Sequence, residues 1–238
     1  WGAGERGTLI FSRKAPSYPQ IKLRVRLTDW MDFVYFHAEL HSNVIDSAAS
    51  YHAGSSSVID FYRTVYRQKY LAAHQIEFTP INGLDISLGE SVVYSDRGPL
   101  LMYLLPLMFF KSAEHYNRDT DNTQMFGTAD VTLLRGVNLY LSVFVDEIVL
   151  ETLFKSAEEG WRQQAGYTAG LHTYDLGVDN VELIAEYSRL NPWVYTHKFP
   201  AVTFTNNGYQ LGHWIGQNAD NLYVEVRYLP TRWLTVSG

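Results

Sequence analysis

The sequence predicts an all-β fold, an antiparallel up-and-down transmembrane β-barrel, and three observations support this prediction. Apolar and polar residues alternate with a period of two, short connections alternate with long ones, and no apolar run reaches the ~18–20 residues of a membrane-spanning helix. Of the 238 residues, 15% are aromatic and only 18% are charged, which excludes a disordered chain. A net charge of −6 without a basic block predicts no nucleic-acid partner.

The clearest strand is predicted at residues 21–27, where every second residue is aliphatic and every residue between them is cationic. A strand places these two sets on opposite faces of a sheet. The same alternation predicts further strands, in chain order, at residues 34–40, 75–78, 84–89, 128–133, 137–146, 164–172, 181–187 and 222–228. Residues 7–12 and a last strand beginning at Trp233 bring the prediction to about eleven strands, without a long helix.

The connections between these strands differ in length in a regular way. Short ones are predicted at residues 28–30, 80–83, 135–136, 177–179 and 230–232, and long ones at 41–68, 95–121, 147–162 and 189–220. This alternation is typical of outer-membrane barrels, which have short periplasmic turns and long extracellular loops. A soluble sandwich or barrel is the alternative, but the face opposite the apolar residues is too ionic for a core.

Aromatic residues at strand ends are typical of the interfacial girdles of such barrels, and they include Trp30, Tyr94, Tyr187, Tyr228 and Trp233. The charged strand faces are predicted to line the lumen, with Lys22, Arg24, Arg26, Glu182, Glu186 and Glu225. Bacterial barrels have an even number of strands and no open edge. The odd count predicts one domain, residues 1–238, that is the interior part of a larger barrel and incomplete at both ends.

Five groups of residues follow one another in the order of a known family: 1–12 with 15–16, 35–40, 89–94, 109–116, and 195–197 with 210–213 and 216–220. In these stretches the chain resembles the capsule-assembly Wzi family of outer-membrane proteins, particularly its members from Bacteroidota-like bacteria. The resemblance implies a barrel of eighteen strands in the bacterial outer membrane. It also implies a lectin that binds capsular or extracellular polysaccharide. Outer-membrane lipid and lipopolysaccharide are the further partners expected, and the protein is expected to be a monomer.

The predicted loop at residues 189–220 is rich in groups that bind sugars. Aromatic rings stack on the apolar faces of sugars, and polar side chains hydrogen-bond the hydroxyl groups. The candidate ligands in this loop are Trp193, Tyr195, His197, Asn207, Tyr209, His213 and Trp214. The alternative is a loop folded inward as a plug that these aromatic residues pack. A second candidate is Tyr94 with Asp96 and Arg97, for which the alternative is a local Asp–Arg pair that fixes the loop.

No cofactor, metal or catalytic site is predicted. Residues 119–122 begin like a calcium loop, but the glycine and the distant glutamate of an EF-hand are missing. Glu182 and Glu186 are four residues apart, about 13 Å along a strand, which exceeds the separation needed for glycoside hydrolysis. Glu158 and Glu159 lie in a predicted loop without a nearby histidine. The alternative function is a porin-like channel for small solutes or saccharides, with the cationic residues of 21–27 facing the carboxylates across the lumen.

Overall fold

The computed structural model describes residues 1–56, 59–147, 164–175, 177–231 and 234–238. Most of the predicted loop at 147–162, with Glu158 and Glu159, and the predicted strand start at Trp233 lie outside the described residues. The described part of the chain forms one ten-stranded antiparallel sheet and two small hairpins. The strands of the main sheet are β1 (Gln20–Thr28), β2 (Met31–Ile45), β5 (Tyr66–Ile81), β6 (Leu84–Ser95), β7 (Asn122–Leu134), β8 (Val137–Glu147), β9 (Gln164–Tyr174), β10 (Val181–Leu190), β13 (Ala219–Thr231) and β14 (Leu234–Ser237).

Strands that are neighbours in the main sheet follow one another along the chain, as expected of an up-and-down topology. The hairpins are β3 (Tyr51–Ser56) with β4 (Ile59–Arg63), and β11 (Thr205–Asn206) with β12 (Tyr209–Gln210). Two short helices, α1 (Leu101–Leu104) and α2 (Phe110–Tyr116), lie between β6 and β7. In the described part of the chain β1 and β14 are the two edges of the sheet, and no ladder joins them. No helix among the described residues is long and apolar enough to cross a membrane.

The predicted strands are confirmed at all nine alternating segments, each of which lies within a strand of the main sheet. The strand predicted at residues 7–12 is wrong. Residues 9–11 form bends, and Leu9, Ile10 and Phe11 are buried. The physical reason is that all three consecutive apolar residues pack into one hydrophobic cluster, whereas a half-exposed strand would bury only every second residue.

Three predicted long connections contain regular structure, the one at 189–220 through the β11–β12 hairpin. In the connection predicted at 41–68, β2 and β5 extend further than expected and the β3–β4 hairpin joins them. In the one predicted at 95–121, α1 and α2 follow the end of β6.

The short turns need glycine where the backbone enters the left-handed region. Gly136 has φ +71°, and a Cβ there would lie 2.4 Å from the Tyr174 carbonyl oxygen.

The two faces of the main sheet have different surroundings, and we name them by what covers them. The plug face carries, among others, Phe36, Phe126 and Phe144, which pack with Leu9 and Phe204 in one hydrophobic cluster. The segments that cover this face, residues 1–18 and 191–218, are called the plug. The other face is called the back face, and on β8 and β13 it exposes Leu139, Leu141, Leu222, Val224 and Val226.

On β2 the apolar and polar side chains lie on the opposite faces from those predicted. Charged faces were predicted to line the interior, so Phe36, Ala38 and Leu40 should have pointed outward. The structure places them on the plug face instead, in the cluster with Leu9. Tyr35 and His37 lie on the back face. The alternation fixes the strand correctly, but the partner that covers each face decides which face is apolar.

Candidate functional site

The connection between β10 and β13 folds inward and forms the larger part of the plug. Val194, Tyr195, Phe204 and Leu211 are buried in the cluster that also contains Leu9. The burial of these apolar residues agrees with the alternative predicted for this loop, which is a plug folded inward. Asn207 lies at its far tip, where its backbone N–H donates to the carbonyl oxygen of His41 at the end of β2.

Trp193 and Tyr195 are presented in opposite directions by an unusual backbone. Both residues have φ +70°, a left-handed conformation that non-glycine residues adopt at a cost. The side chain of Tyr195 is buried, whereas that of Trp193 is 64% exposed. Positive φ at bulky residues persists only where the surrounding structure fixes it, and such positions are concentrated at functional sites.

The backbone N–H and the side-chain hydroxyl of Tyr195 make three hydrogen bonds. Its backbone N–H donates to Asp146 on β8 over 2.6 Å, and its hydroxyl donates to the Leu9 carbonyl oxygen over 2.6 Å. The same hydroxyl accepts the backbone N–H of His213 at 3.0 Å. These bonds fix the turn that carries Trp193, because the two residues are only two positions apart along the backbone.

A cleft of about 910 Å³ lies beside the exposed Trp193. Residues of the plug form one wall, and residues of α2 and the segment before it form the other. The ends of β7 and β8 form its floor. The residues that line both walls and are polar or aromatic include Phe109, Lys111, His115, Asp119, Trp193, His197 and Lys198. Such a cleft combines flat apolar surfaces with hydrogen-bonding groups, which is the chemistry that binds sugars.

Charges in this cleft are partly paired. Lys111 forms an ion pair with Glu114, and His115 lies 2.7 Å from Asp119. Burial, with a smaller contribution from Lys198, lowers the pKa of His197 to about 4. His197 is therefore neutral at physiological pH, and its Nδ1 accepts the backbone N–H of Phe199. The cleft offers neutral and charged hydrogen-bonding groups together.

The structure divides the predicted polysaccharide ligands of the loop into three groups. Trp193 and His197 line the cleft. Tyr195 and His213 are buried in the plug, with 1% and 0% exposure, so their side chains have no access to solvent. Asn207, Tyr209 and Trp214 are exposed but lie outside the cleft lining, and Trp214 donates to the Arg6 carbonyl oxygen. The sugar-binding role of all seven stays a prediction.

The second predicted cluster does not come together. Tyr94 is buried on the back face, where its hydroxyl is 2.7 Å from Nε2 of His37. Asp96 pairs with Arg67, and Arg97 pairs with Asp121, each at 2.7 Å. The proposed local pair of Asp96 with Arg97 is therefore replaced by two longer-range pairs.

The residues predicted to line the lumen share the plug face, but the ion pairs they form join the same or nearby strands of the sheet rather than opposite sides of a lumen. Arg24 contacts Asp32 and Glu77, both at 2.7 Å. Arg227 pairs with both Glu182 and Glu225. Glu186 is buried against the N-terminal part of the plug. Lys22 and Arg26 lie on the same face of β1 as Arg24. That this face lines a lumen stays a prediction.

The sequence did not indicate Phe109, Lys111 or Lys198 as cleft residues. Phe109 and Lys111 belong to the stretch 109–116 that carried part of the family resemblance, and this is the signal that could have indicated them. Lys198 follows His197 directly, but its side chain is neither aromatic nor an amide, so it was not among the candidate ligands. The tertiary fold places the β6–β7 connection and the plug around one cleft, and periodicity does not report such an arrangement.

The fold and the cleft define a class of protein: an antiparallel β-sheet protein with a plugged face, an exposed apolar face and an aromatic cleft at one end. The chain belongs to the Wzi family of capsule assembly proteins, since the family model for capsule assembly protein Wzi matches residues 1–236. The prediction from the resemblance is thereby confirmed, and a role in capsule assembly follows from the family. Comparison with curated proteins and with solved structures finds no match in either set.

Proposed function

We propose that this protein binds capsular or extracellular polysaccharide at the cell surface and retains it there without making or breaking a covalent bond. The observation that carries the proposal is the cleft beside Trp193, in a chain that belongs to a capsule assembly family. The exposed indole ring provides a stacking surface for a sugar ring. Lys198 and His197 on the same wall, and Lys111 opposite, supply groups that hydrogen-bond hydroxyl or carboxylate oxygens.

The proposal includes a location in the bacterial outer membrane, where the sheet is part of a closed β-barrel. The exposed aliphatic residues of the back face support it, among them Leu23, Leu139 and Leu141, each more than 40% exposed. Soluble proteins rarely expose a large contiguous apolar surface. The lipid and lipopolysaccharide of this membrane are the partners proposed for the back face, and the protein is proposed to act as a monomer.

A porin-like channel is the weaker candidate. The plug fills the plug face with buried residues from Leu9 to Leu211, and Glu186 and Asp146 hold its backbone. A polar cavity of about 590 Å³ at the end of the short turns, lined by Arg24, Asp32 and Glu77, does not change this. A diffusion pathway would need the plug to leave the sheet.

The experiment compares cells that produce the wild type, Trp193→Ala, Trp193→Phe and Trp30→Ala. Trp30 is 49% exposed at a short turn, far in the chain from the cleft, so its replacement is a matched tryptophan control. Trp193→Ala should release surface polysaccharide into the medium at unchanged protein abundance, and Trp193→Phe should retain most of it. Released polysaccharide should keep its chain length. Equal retention by all four proteins would overturn the proposal.

A further inference from the structure

Polar residues interrupt the back face on β2, β5 and β6, and this polar place is covered. On β2, β5 and β6 it carries Tyr35, His37, His74 and Glu90, where the neighbouring strands carry aliphatic residues. Glu90 is 3% exposed and lies 3.0 Å from Nε2 of His74. Such groups cannot face lipid without a large cost.

The cover is the connection between β6 and β7, with helices α1 and α2. Its backbone forms hydrogen bonds with two of the polar groups beneath it. The Glu90 carboxylate accepts the N–H of Phe110 at 2.8 Å, and the Tyr35 hydroxyl donates to the Tyr103 carbonyl oxygen at 2.8 Å. The side chains of Tyr103, Phe110 and Ala113 are buried against Phe33 and Tyr94. The connection therefore lies along the back face of the strands rather than above their ends.

The strand register gives the height at which this cover lies. On one side, His37 and Tyr35 pair with Ile21 and Leu23 of β1, which are 78% and 43% exposed. On the other side, Glu90 pairs with Met125 of β7, which is 39% exposed. Residues that are paired across antiparallel strands lie level with each other. The cover is thus flanked on both sides by exposed apolar side chains at its own height.

The outward side of the cover is itself apolar. Thirteen consecutive residues, 98–110, contain no charged side chain. Five of them point away from the sheet with large exposure: Leu101 (74%), Leu104 (41%), Leu105 (51%), Leu107 (84%) and Phe109 (52%). These side chains continue the apolar surface of β1 and β7 across the polar place.

We propose that residues 100–107 contact lipid, with their leucine side chains inserted at the boundary between headgroups and acyl chains of the outer leaflet, whereas Phe109 at the end of the connection lines the cleft beside Trp193. The inference rests on the proposed outer-membrane location. It replaces the expectation that the whole β6–β7 connection is an extracellular loop. The segment masks the polar residues of β2, β5 and β6 and restores the apolar band around them. Amphipathic segments that lie in this boundary bury their apolar side by about 5–10 Å.

The occupant is lipid rather than a second protein because the apolar surface is continuous with both flanking strands. A protein partner for residues 100–107 would also have to cover Ile21, Leu23 and Met125, which belong to the strand surface itself. A lipid leaflet covers all of them without a specific interface.

The chain contains no cysteine, so single-cysteine variants report one position each. Leu101→Cys and Leu107→Cys, labelled with the fluorophore NBD, are compared with Leu141→Cys on the back face of β8 and Tyr209→Cys on the exposed tip of the plug. The full chain is reconstituted into vesicles of phosphatidylcholine and phosphatidylglycerol, with and without a doxyl-labelled lipid. We expect blue-shifted emission and doxyl quenching at positions 101 and 107 close to those at 141, and neither at 209.

Water-like emission without quenching at 101 and 107, while position 141 is quenched, would overturn the inference and leave the membrane location intact. A blue shift without doxyl quenching would indicate a protein cover and would also overturn it. Absence of quenching at 141 as well would instead contradict the membrane location on which the inference rests. Heat-dependent migration on gels confirms that each variant is folded before it is measured.

Discussion

The carboxylate of Glu186 on β10 accepts the backbone N–H of Glu5 over 2.6 Å, a contact between residues 181 positions apart in the chain. The same carboxylate accepts the hydroxyl of Tyr140 at 2.7 Å and the N–H of Arg6 at 3.3 Å. Glu186 is 1% exposed. One buried carboxylate on β10 therefore holds the N-terminal part of the plug and also bonds Tyr140 on β8.

This arrangement predicts that Glu186→Ala destabilises the protein by about 2–4 kcal/mol, because it leaves two backbone N–H groups and the Tyr140 hydroxyl without their acceptor. The melting temperature of the purified protein measures the loss. Glu39→Ala is the control, since Glu39 is exposed on β2. Equal melting temperatures for the two variants would show that the plug does not depend on this carboxylate.

Gly212 allows Tyr195 to reach its place in the plug. A Cβ at this position would lie 2.3 Å from the Tyr195 ring and 2.5 Å from the Leu9 carbonyl oxygen. Gly212→Ala should therefore cost about 1–3 kcal/mol by overpacking and should loosen the turn that carries Trp193. Thermal unfolding measures the first effect, and susceptibility of the 191–218 segment to limited proteolysis measures the second. Gly98→Ala, where a Cβ meets nothing within 4 Å, should be neutral.

The free energy of unfolding should decrease as the pH is lowered, because of His213. Burial lowers its pKa from 6.5 to about 4, with Lys14 lowering it further and Glu186 raising it. Above pH 6.5 both the folded and the unfolded chain hold this histidine neutral, so it contributes no pH dependence. Between pH 6.5 and 4 only the unfolded chain takes up the proton, and up to about 3 kcal/mol of the free energy of unfolding is lost.

The measurement is the melting temperature from pH 8 to pH 4.5 for the wild type and His213→Gln. The variant should be less stable at pH 8 and should show a flatter decrease towards low pH. His197, whose pKa is also lowered to about 4, remains in both proteins and contributes a common slope. Parallel curves would exclude His213 as a source of the pH dependence.

The proposed lipid contact of the back face predicts the effect of arginine substitutions on β8. Leu139→Arg and Leu141→Arg should each cost about 2–4 kcal/mol near the middle of the membrane and should impair assembly, against ~0–1 kcal/mol near an interface. Both leucines are more than 40% exposed, so a soluble protein would tolerate the arginines. The amount of each variant in isolated outer membranes distinguishes the two cases, and normal insertion of both would argue against lipid contact.

Alternation predicts much of the scaffold because it follows directly from strand geometry. The nine segments from 21–27 to 222–228 all lie in strands, and their order is the order of the sheet. Residues 7–12 do not, since they belong to the plug and are buried by packing against the sheet and the 191–218 segment, not by a period. For β2, the alternation could not show which of its two faces the plug covers. Phe36 packs in the cluster with Leu9 on the plug face, while the Tyr35 hydroxyl donates to the Tyr103 carbonyl oxygen on the back face.

The cleft was only half predictable. Trp193 and His197 were visible as part of an aromatic, amide-rich loop, but Phe109 and Lys111 reach the cleft because α2 lies beside β7. Tyr195 and His213 have the same composition signal as Trp193 and are buried. Residue type alone does not report which side of a turn faces solvent. Here the hydrogen bonds of Tyr195 to Asp146, Leu9 and His213 hold its side chain inside the plug, while Trp193 stays exposed.

The most direct test of polysaccharide binding at the cleft is a binding isotherm with purified full-length protein and polysaccharide extracted from the producing cells. We predict that Trp193→Ala weakens polysaccharide binding about ten-fold, as expected for a lost stacking surface of ~1–2 kcal/mol. Trp193→Phe and Trp214→Ala should bind nearly as the wild type does. Indistinguishable isotherms for the wild type and Trp193→Ala would contradict this prediction.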